Sequence, residues 1–224
     1  MTELRHLIGE DRVSTQVIDR LAFAHDASLY RLVPQAVVRP SSIDHVQQLF
    51  AWCIRTRSHL TFRAAGTSLS GQAVTDGVLV DLSRDWSDVS VLDSGRRVRM
   101  QPGITGARVN AHLRRYGRKL GPDPASIIAA MIGGIIANNA SGMCCGTAQN
   151  SYNTLSGMTY VLANGVVIDT SHPDADLHLQ EQAPNIHHGI AQIRDEVRAD
   201  ADLVATIQRK YAIKNTIGYS LNAF

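Results

Sequence analysis

Apolar residues in the first hundred positions alternate between helical and strand-like spacing, and each change of period predicts an element. Val13, Val17, Ile18, Leu21 and Ala22 recur at helical spacing with Ser14 as a candidate cap, so residues 1–34 read as a mostly helical entry arm. Val37 and Val38 form a short strand running into Pro40. Ser42 and Asp44 then introduce an amphipathic helix whose apolar face carries Val46, Leu49, Phe50, Cys53 and Ile54. Strands follow at Leu60 to Arg63, Gly77 to Leu82 and Val89 to Leu92. Asp93, Ser94 and Gly95 turn the last of these into Val98 to Gln101, and Pro102-Gly103 ends it.

The second half begins with a helix from Thr105 through Val109, Leu113 and Tyr116, ended by Gly117 in a C-cap position. Asn164-Gly165, between Tyr160 to Ala163 and Val166 to Ile168, predicts a hairpin with a type I′ turn. His172 to Asn185 is polar and punctuated by proline, and reads as an irregular excursion. Helices are expected from His188 to about Val197 and from Leu203 to Tyr211. Beyond them Ile217, Tyr219, Leu221 and Phe224 are apolar with no partner element after them. Strands and helices do not alternate regularly, so the predicted class is α+β.

Two stretches carry candidate chemistry. RAAGTSLSG, Arg63 to Gly71, lies between two strands; Gly66 and Gly71 can take positive φ and let backbone N–H groups converge on an anion, with hydroxyls from Thr67, Ser68 and Ser70. A plain Gly/Ser surface loop explains the same residues equally well. No GxGxxG opens a helix and no GxxxxGK[ST] occurs, so neither a Rossmann site nor a P-loop is supported. The other stretch, Gly121 to Gly146, is packed with small residues. Gly133 and Gly134 remove side chains where something approaches closely, and Asn138, Asn139 and Ser141 add polar groups to an otherwise apolar wall. Tight helix packing accounts for the glycines but not for the polar cluster, which favours ligand contact over Asn138 to Gly142. Lys214 and Asn215 have two readings, reach toward a ligand or a helix-entry feature.

Composition narrows the class. The chain has 224 residues and a formal net charge of +2, which gives no domain-wide basic excess for nucleic acid. Arg96, Arg97 and Arg99, and then Arg114, Arg115, Arg118 and Lys119, form two short basic clusters that read as solvated faces. Ile127 to Ala137 contains two glycines and falls short of the ~20 residues needed to cross a bilayer, so it reads as a buried segment rather than a transmembrane one. The amino terminus lacks a secretory h-region, which points to the cytoplasm. Three cysteines, Cys53, Cys144 and Cys145, without a CxxC, give neither a disulfide framework nor a metal site, and Cys53 reads as core. The nine histidines lack HExxH spacing.

Taken in order, RAAGTSLSG, QPG, PDPAS, IGG, NNASG and the VLANG hairpin resemble the FAD-binding domain of the vanillyl-alcohol oxidase and p-cresol methylhydroxylase flavoprotein family. MIGGIIANNASGMCCGTAQNSY and RKYAIKNTIGYSLNAF resemble in particular its FAD-linked D-2-hydroxyacid dehydrogenases, of the long bacterial kind with carboxyl-terminal iron-sulfur modules. The likeness runs from about Asp19 onward. It implies a two-lobed fold, with residues 35–102 as the first FAD-binding lobe and 103–224 as a second, truncated one. It implies that Arg63, Ala64, Ala65, Gly66, Thr67 and Ser68, with Leu69, Ser70 and Gly71 completing the loop, wrap the FAD pyrophosphate. Ala125, Ser126 and Met131 with Gly133 and Gly134 would line the flavin and ribityl side. Asn138, Asn139, Ala140, Ser141 and Gly142 would close on the cofactor, and Ile168 would touch the adenine end.

Thr67 stands where covalently flavinylated relatives often carry histidine, which implies noncovalent FAD; Cys144 or Cys145 is the residual candidate for a tether. The family's GSEGTLG loop, substrate cap, catalytic histidine region and iron-sulfur cysteines would all lie beyond Phe224. The chain therefore reads as an amino-terminal piece, without a catalytic residue of its own and inactive alone. The implied reaction takes hydride from C2 of a D-2-hydroxyacid onto FAD and passes electrons to a quinone or an electron-transfer protein, in a full-length protein that is cytoplasmic or peripheral to the inner membrane. A sugar-lactone oxidase or alkylglycerone-phosphate synthase type, and a noncatalytic remnant, are the alternatives.

Overall fold

Val13 does not continue a helix but opens the edge of a sheet. In the computed structural model, which describes residues 1–215 and 219–224, Gly9 ends α1 (Thr2–Ile8) with φ 108°, and β1 (Val13–Ser14) pairs antiparallel with β2 (Ala36–Val38). Only α2 (Val17–Ala22) of the expected arm follows the helical spacing. Its Val17 and Ile18 are exposed, and Ser14 donates to Asp19 rather than capping the helix. Sheet pairing of a β-branched residue outweighs the local period there.

The sheet order is β1-β2-β4-β3, with β3 (Leu60–Arg63) and β2 both parallel to β4 (Val78–Asp81). The central strands β2 and β4 are buried at every residue, which explains their unbroken valine and leucine runs. α3 (Ile43–Thr56), capped by Ser42 accepting from the His45 N–H, lays Leu49 and Trp52 on Val38, Val78 and Val80, and α1 adds Leu4 and Ile8. Cys53 packs at the margin of this core, where burial pushes its thiol pKa up. Asp81, almost fully buried at the end of β4, is paired with Arg39 at 3.2 Å and accepts from the Ser83 N–H and hydroxyl. A buried carboxylate persists only with such partners.

A second core lies on the hairpin of β5 (Val89–Leu92) and β6 (Arg97–Met100). Val89, Val91, Val98 and Met100 face α4 (Gly106–Leu113) and α5 (Ile132–Ala137), so this hairpin, expected in the first lobe, contributes its side chains to the second cluster. Thr105 caps α4 by accepting from the Arg108 N–H, and Gly117 (φ 65°) ends the 3-10 turn that follows. After α6 (Ser151–Thr154), β7 (Thr159–Val161) and β8 (Val167–Asp169) form the last hairpin. Of Asn164-Gly165 only Gly165 has positive φ, and the Leu162 N–H reaches the Val166 carbonyl. The turn is therefore not type I′; the Asn164 side chain instead accepts from the Val166 N–H.

His172 to Asn185 is not irregular. It contains α7 (Ala175–Gln182), and Pro184 occupies the first turn of α8 (Pro184–Ala199), so proline marks a helix start there. α9 (Ala201–Tyr211) completes the helices, with Asp200 as its cap. Ile217 lies outside the described residues. Among these, no helix is long and apolar enough to cross a membrane.

Candidate functional site

The loop from Arg63 to Gly71 leaves the carboxyl end of β3, beside β4, and the first residue of the motif determines its shape. The Arg63 guanidinium turns back under the loop and donates to the carbonyls of His25 (2.6 Å), Phe23 (3.3 Å) and Ala73 (3.3 Å). It also lies over the Phe23 ring, 5.2 Å from its centroid. Burial draws its pKa down, opposed by the fields of Asp26 and Asp81. Arg63 is thus a brace between arm and loop.

Gly66 (φ 69°) sits on that brace: a Cβ there would lie 2.5 Å from Arg63 Nη2 and 2.6 Å from Cζ. Its carbonyl accepts from the Ala27 N–H at 3.0 Å. Gly71 (φ 78°) is pressed against the Tyr30 ring. The Ser68 hydroxyl bonds Gln72 and accepts from the Ser70 N–H, while the Thr67 and Ser70 hydroxyls have no hydrogen bond among the described residues. The backbone N–H groups of Ala64, Ala65, Gly66, Thr67, Ser68 and Leu69 likewise donate to nothing among those residues. Consecutive free N–H groups around a left-handed glycine form an anion-binding concavity, which suits a diphosphate.

Asp26 anchors the far side. Burial pushes its carboxyl up, but the Ser28 hydroxyl and N–H, the Ala73 N–H and the Arg63 charge outweigh burial and hold it below the usual carboxylate range. A depressed folded pKa stabilises at pH above the unfolded value, near ~3.9, and that contribution is lost as pH falls through the folded value. An NMR titration of the Asp26 carboxyl should give a midpoint below that of a free aspartate, with the amide shift of Ala73 following it. A midpoint at or above the free value removes Asp26 as the anchor.

The second stretch divides into structural and open residues. α5 ends in a Schellman motif: the Ala140 N–H reaches the Ile135 carbonyl, the Asn139 N–H reaches Ile136, and Asn139 itself has φ 43°. The Asn139 side chain accepts from the Tyr152 N–H, and the buried Ser151 hydroxyl bonds the carbonyls of Ile135 and Ala140. Gly133 is small because Pro102 lies against it, with a Cβ there 2.8 Å from the proline Cβ; Gly134 faces open space. The proline contact is itself a reason for glycine at 133. Ile128 is exposed, so Ile127 to Ala137 is buried only at Ala130, Ile132 and Ile135.

Ala125, Asn138, Ala140, Ser141 and Gly142 converge with Pro124, Met143 and Lys214 on a cleft of about 450 Å³. Neither Lys214 nor the Asn138 amide has a hydrogen bond or ion pair among the described residues. Beside the cleft, Asp123 Oδ1 is buried against Gly142 without a hydrogen-bond partner among the described residues. Ser126 is exposed but does not line the cleft, and Met131 bridges Thr105 in an isolated pair. Ile168 is 1% exposed, so its side chain is interior. Cys144 is exposed and Cys145 is buried, its Sγ donating to the Gly146 carbonyl at 3.3 Å. No hydrogen bond or ion pair among the described residues joins the Arg63 loop to the cleft. Sequence reasoning missed Phe23, His25, Asp26 and Tyr30, since apolar periodicity marked their segment only as an arm. It also left Pro124 and Met143 out of the candidate set. Among the described residues, no group of three or more His, Cys, Asp and Glu side chains could hold a metal ion.

A protein-family model described as "FAD binding domain" matches residues 34–171. D-2-hydroxyglutarate dehydrogenase of Haemophilus influenzae is 29% identical over 209 residues, covering 88% of this chain and 20% of the relative. Glycolate oxidase subunit GlcD of Escherichia coli (strain K12) is 38% identical over 120 residues, covering 53% and 24%. The chain thus spans about a fifth to a quarter of the length of these curated relatives. Among solved structures, p-cresol methylhydroxylase with substrate bound superposes with TM-score 0.63 at 18% identity, covering 78% of this chain and 36% of that one. An alkyldihydroxyacetonephosphate synthase does so with TM-score 0.65 at 18% identity, covering 79% and 36%. These last two likenesses show the shared fold.

Proposed function

From the premise that this chain belongs to the FAD-binding domain family, we propose that it holds the FAD of an oxidoreductase acting on a D-2-hydroxyacid. One observation carries the cofactor assignment: six successive backbone N–H groups, Ala64 to Leu69, left free around Gly66 on a loop braced by Arg63. In this reading the loop holds the diphosphate through backbone, and Arg63 keeps those N–H groups aligned. The cleft at Ala125, Asn138 and Ser141 receives another part of the cofactor, with the Asn138 side-chain amide, the Ser141 hydroxyl and the Lys214 ammonium as polar groups that lack a partner among the described residues. Bound FAD would supply the two-electron chemistry. Both named relatives carry a 2-hydroxyacid in their names, which supports the substrate class. The reaction and its electron acceptor, a quinone or an electron-transfer protein, are proposed for a longer polypeptide, as is any iron-sulfur cluster.

Thermal-shift and calorimetric titrations with FAD, ADP and FMN test the cofactor assignment. FAD and ADP, which contain a diphosphate, are expected to bind, and FMN, which lacks one, to bind more weakly. FMN binding as tightly as FAD, with ADP inert, would overturn it. The attachment is proposed to be noncovalent because Thr67 offers no imidazole nitrogen. Acid or heat denaturation should leave all the flavin in the supernatant; flavin pelleting with the polypeptide would show a covalent bond and direct attention to Cys144 and Cys145.

A further inference from the structure

Charge is unevenly distributed along this chain. Residues 94–122 hold eight of the 22 Lys and Arg residues and none of the 20 Asp and Glu residues, so this segment carries +8 and the remainder −6. All eight cations are exposed. The fold also joins two clusters that the sequence presents separately. The tip of the β5–β6 hairpin packs on the turn that follows α4, where a Cβ on Gly95 would lie 2.6 Å from the Tyr116 Cβ. Arg96 and Arg97 therefore adjoin Arg114 and Arg115, with Arg115 stacked 4.8 Å from the Tyr116 ring centroid. Arg99 lies two residues along β6, on the exposed face that Arg97 shares. Arg118 and Lys119 extend the patch beyond Gly117.

Carboxylates neutralise little of it. Asp93 pairs with Arg97 at 2.5 Å and Asp123 with Lys119 at 3.5 Å, and Asp169 feels the charge of Arg99. Arg96, Arg108, Arg114, Arg115 and Arg118 have no carboxylate within ion-pairing distance among the described residues. Cations at the end of α4 complement the helix dipole, but that does not account for those on the hairpin.

We propose that this face docks on an anionic phospholipid bilayer. Seven of the eight cations are arginine, whose planar fork matches phosphate oxygens. The patch sits on a hairpin and a helix end, and the half-exposed Leu92 at the hairpin tip is available to the headgroup region. A single-stranded nucleic acid would need bare aromatic rings for stacking, and the one ring here, Tyr116, is covered by Gly95 and Arg115. The −6 carried elsewhere is repelled by the same membrane, so docking has one orientation.

Co-sedimentation of the 224-residue chain with vesicles tests this. Vesicles of phosphatidylcholine with phosphatidylglycerol should bind it, pure phosphatidylcholine should not, and 0.5 M salt should release it, as expected for charges screened over ~3–10 Å. R114E/R115E/R118E should weaken binding by roughly tenfold or more, while R114K/R115K/R118K should retain it. Circular dichroism identifies any reversal variant that fails to fold, in which case R96E/R99E takes its place. Equal binding to neutral vesicles, no binding to anionic ones, binding unmoved by charge reversal, or preferential capture of a single-stranded RNA or an acidic protein would each overturn the proposal.

Discussion

Gly66→Val is expected to abolish FAD binding, with a loss of at least about 100-fold in affinity, equivalent to about 2.7 kcal/mol. Two costs combine. A β-branched residue at φ 69° is strained by about 1–3 kcal/mol. Its Cβ would also fall 2.5 Å from Arg63 Nη2, so the brace must move, and the loop whose backbone N–H groups are proposed to hold the diphosphate must move with it. Ser70→Ala should cost no more than about 1 kcal/mol, the worth of one hydrogen bond, because in this reading backbone N–H groups and not this hydroxyl carry most of the diphosphate. Calorimetric titration of both variants with FAD makes the comparison. A double-mutant cycle isolates the cause: in an Arg63→Ala background, Gly66→Ala should cost much less than it does alone. Additive losses would show that the glycine is needed for the left-handed backbone or the ligand itself and not for Arg63.

Arg63→Ala should weaken the protein before any cofactor is added. Removing the guanidinium leaves the carbonyls of Phe23, His25 and Ala73 without their donor and takes away one of the two guanidinium groups lying over the Phe23 ring, Arg39 being the other. Charge-assisted bonds of this kind contribute about 2–3 kcal/mol together when two of them are long. For a chain of this length, that corresponds to a fall in Tm of about 5–10 °C. FAD affinity should fall with it, since the loop loses its hold on the arm. If Arg63 instead acted only by touching phosphate, the cofactor-free protein would melt at the parent temperature and only the ligand-induced shift would vanish. Scanning calorimetry of the free and FAD-supplemented variants separates these outcomes.

Local chemistry guided several elements correctly, although the Ser14 cap and the type I′ turn at Asn164-Gly165 did not form. Ser42 and Thr105 cap their helices, Gly117 ends its turn with positive φ, and Gly66 and Gly71 take the left-handed conformations their loop requires. The strands around Arg63 to Gly71 stand where they are expected, at Leu60–Arg63 and Val78–Asp81. The likeness to a flavoprotein family, drawn from motif order, agrees with the family match over residues 34–171. Each of these depends on interactions within a few residues, or on an ordered set of such motifs.

The sequence by itself therefore determined the α+β class, most element positions, the anion-loop candidate and the family likeness. Tertiary structure decided what those residues touch. Val13 joined β1 because β2 offered it a partner 25 positions away, between Val13 and Val38. Gly133 met Pro102, a packing contact that its spacing did not announce, and Arg63 became a brace because Phe23 and His25 fold back beneath it. The two basic clusters became one face only when Gly95 met Tyr116. Such contacts join residues far apart in the chain, where neither propensity nor spacing carries a signal, and the energy that selects them comes from burial and hydrogen bonding in three dimensions.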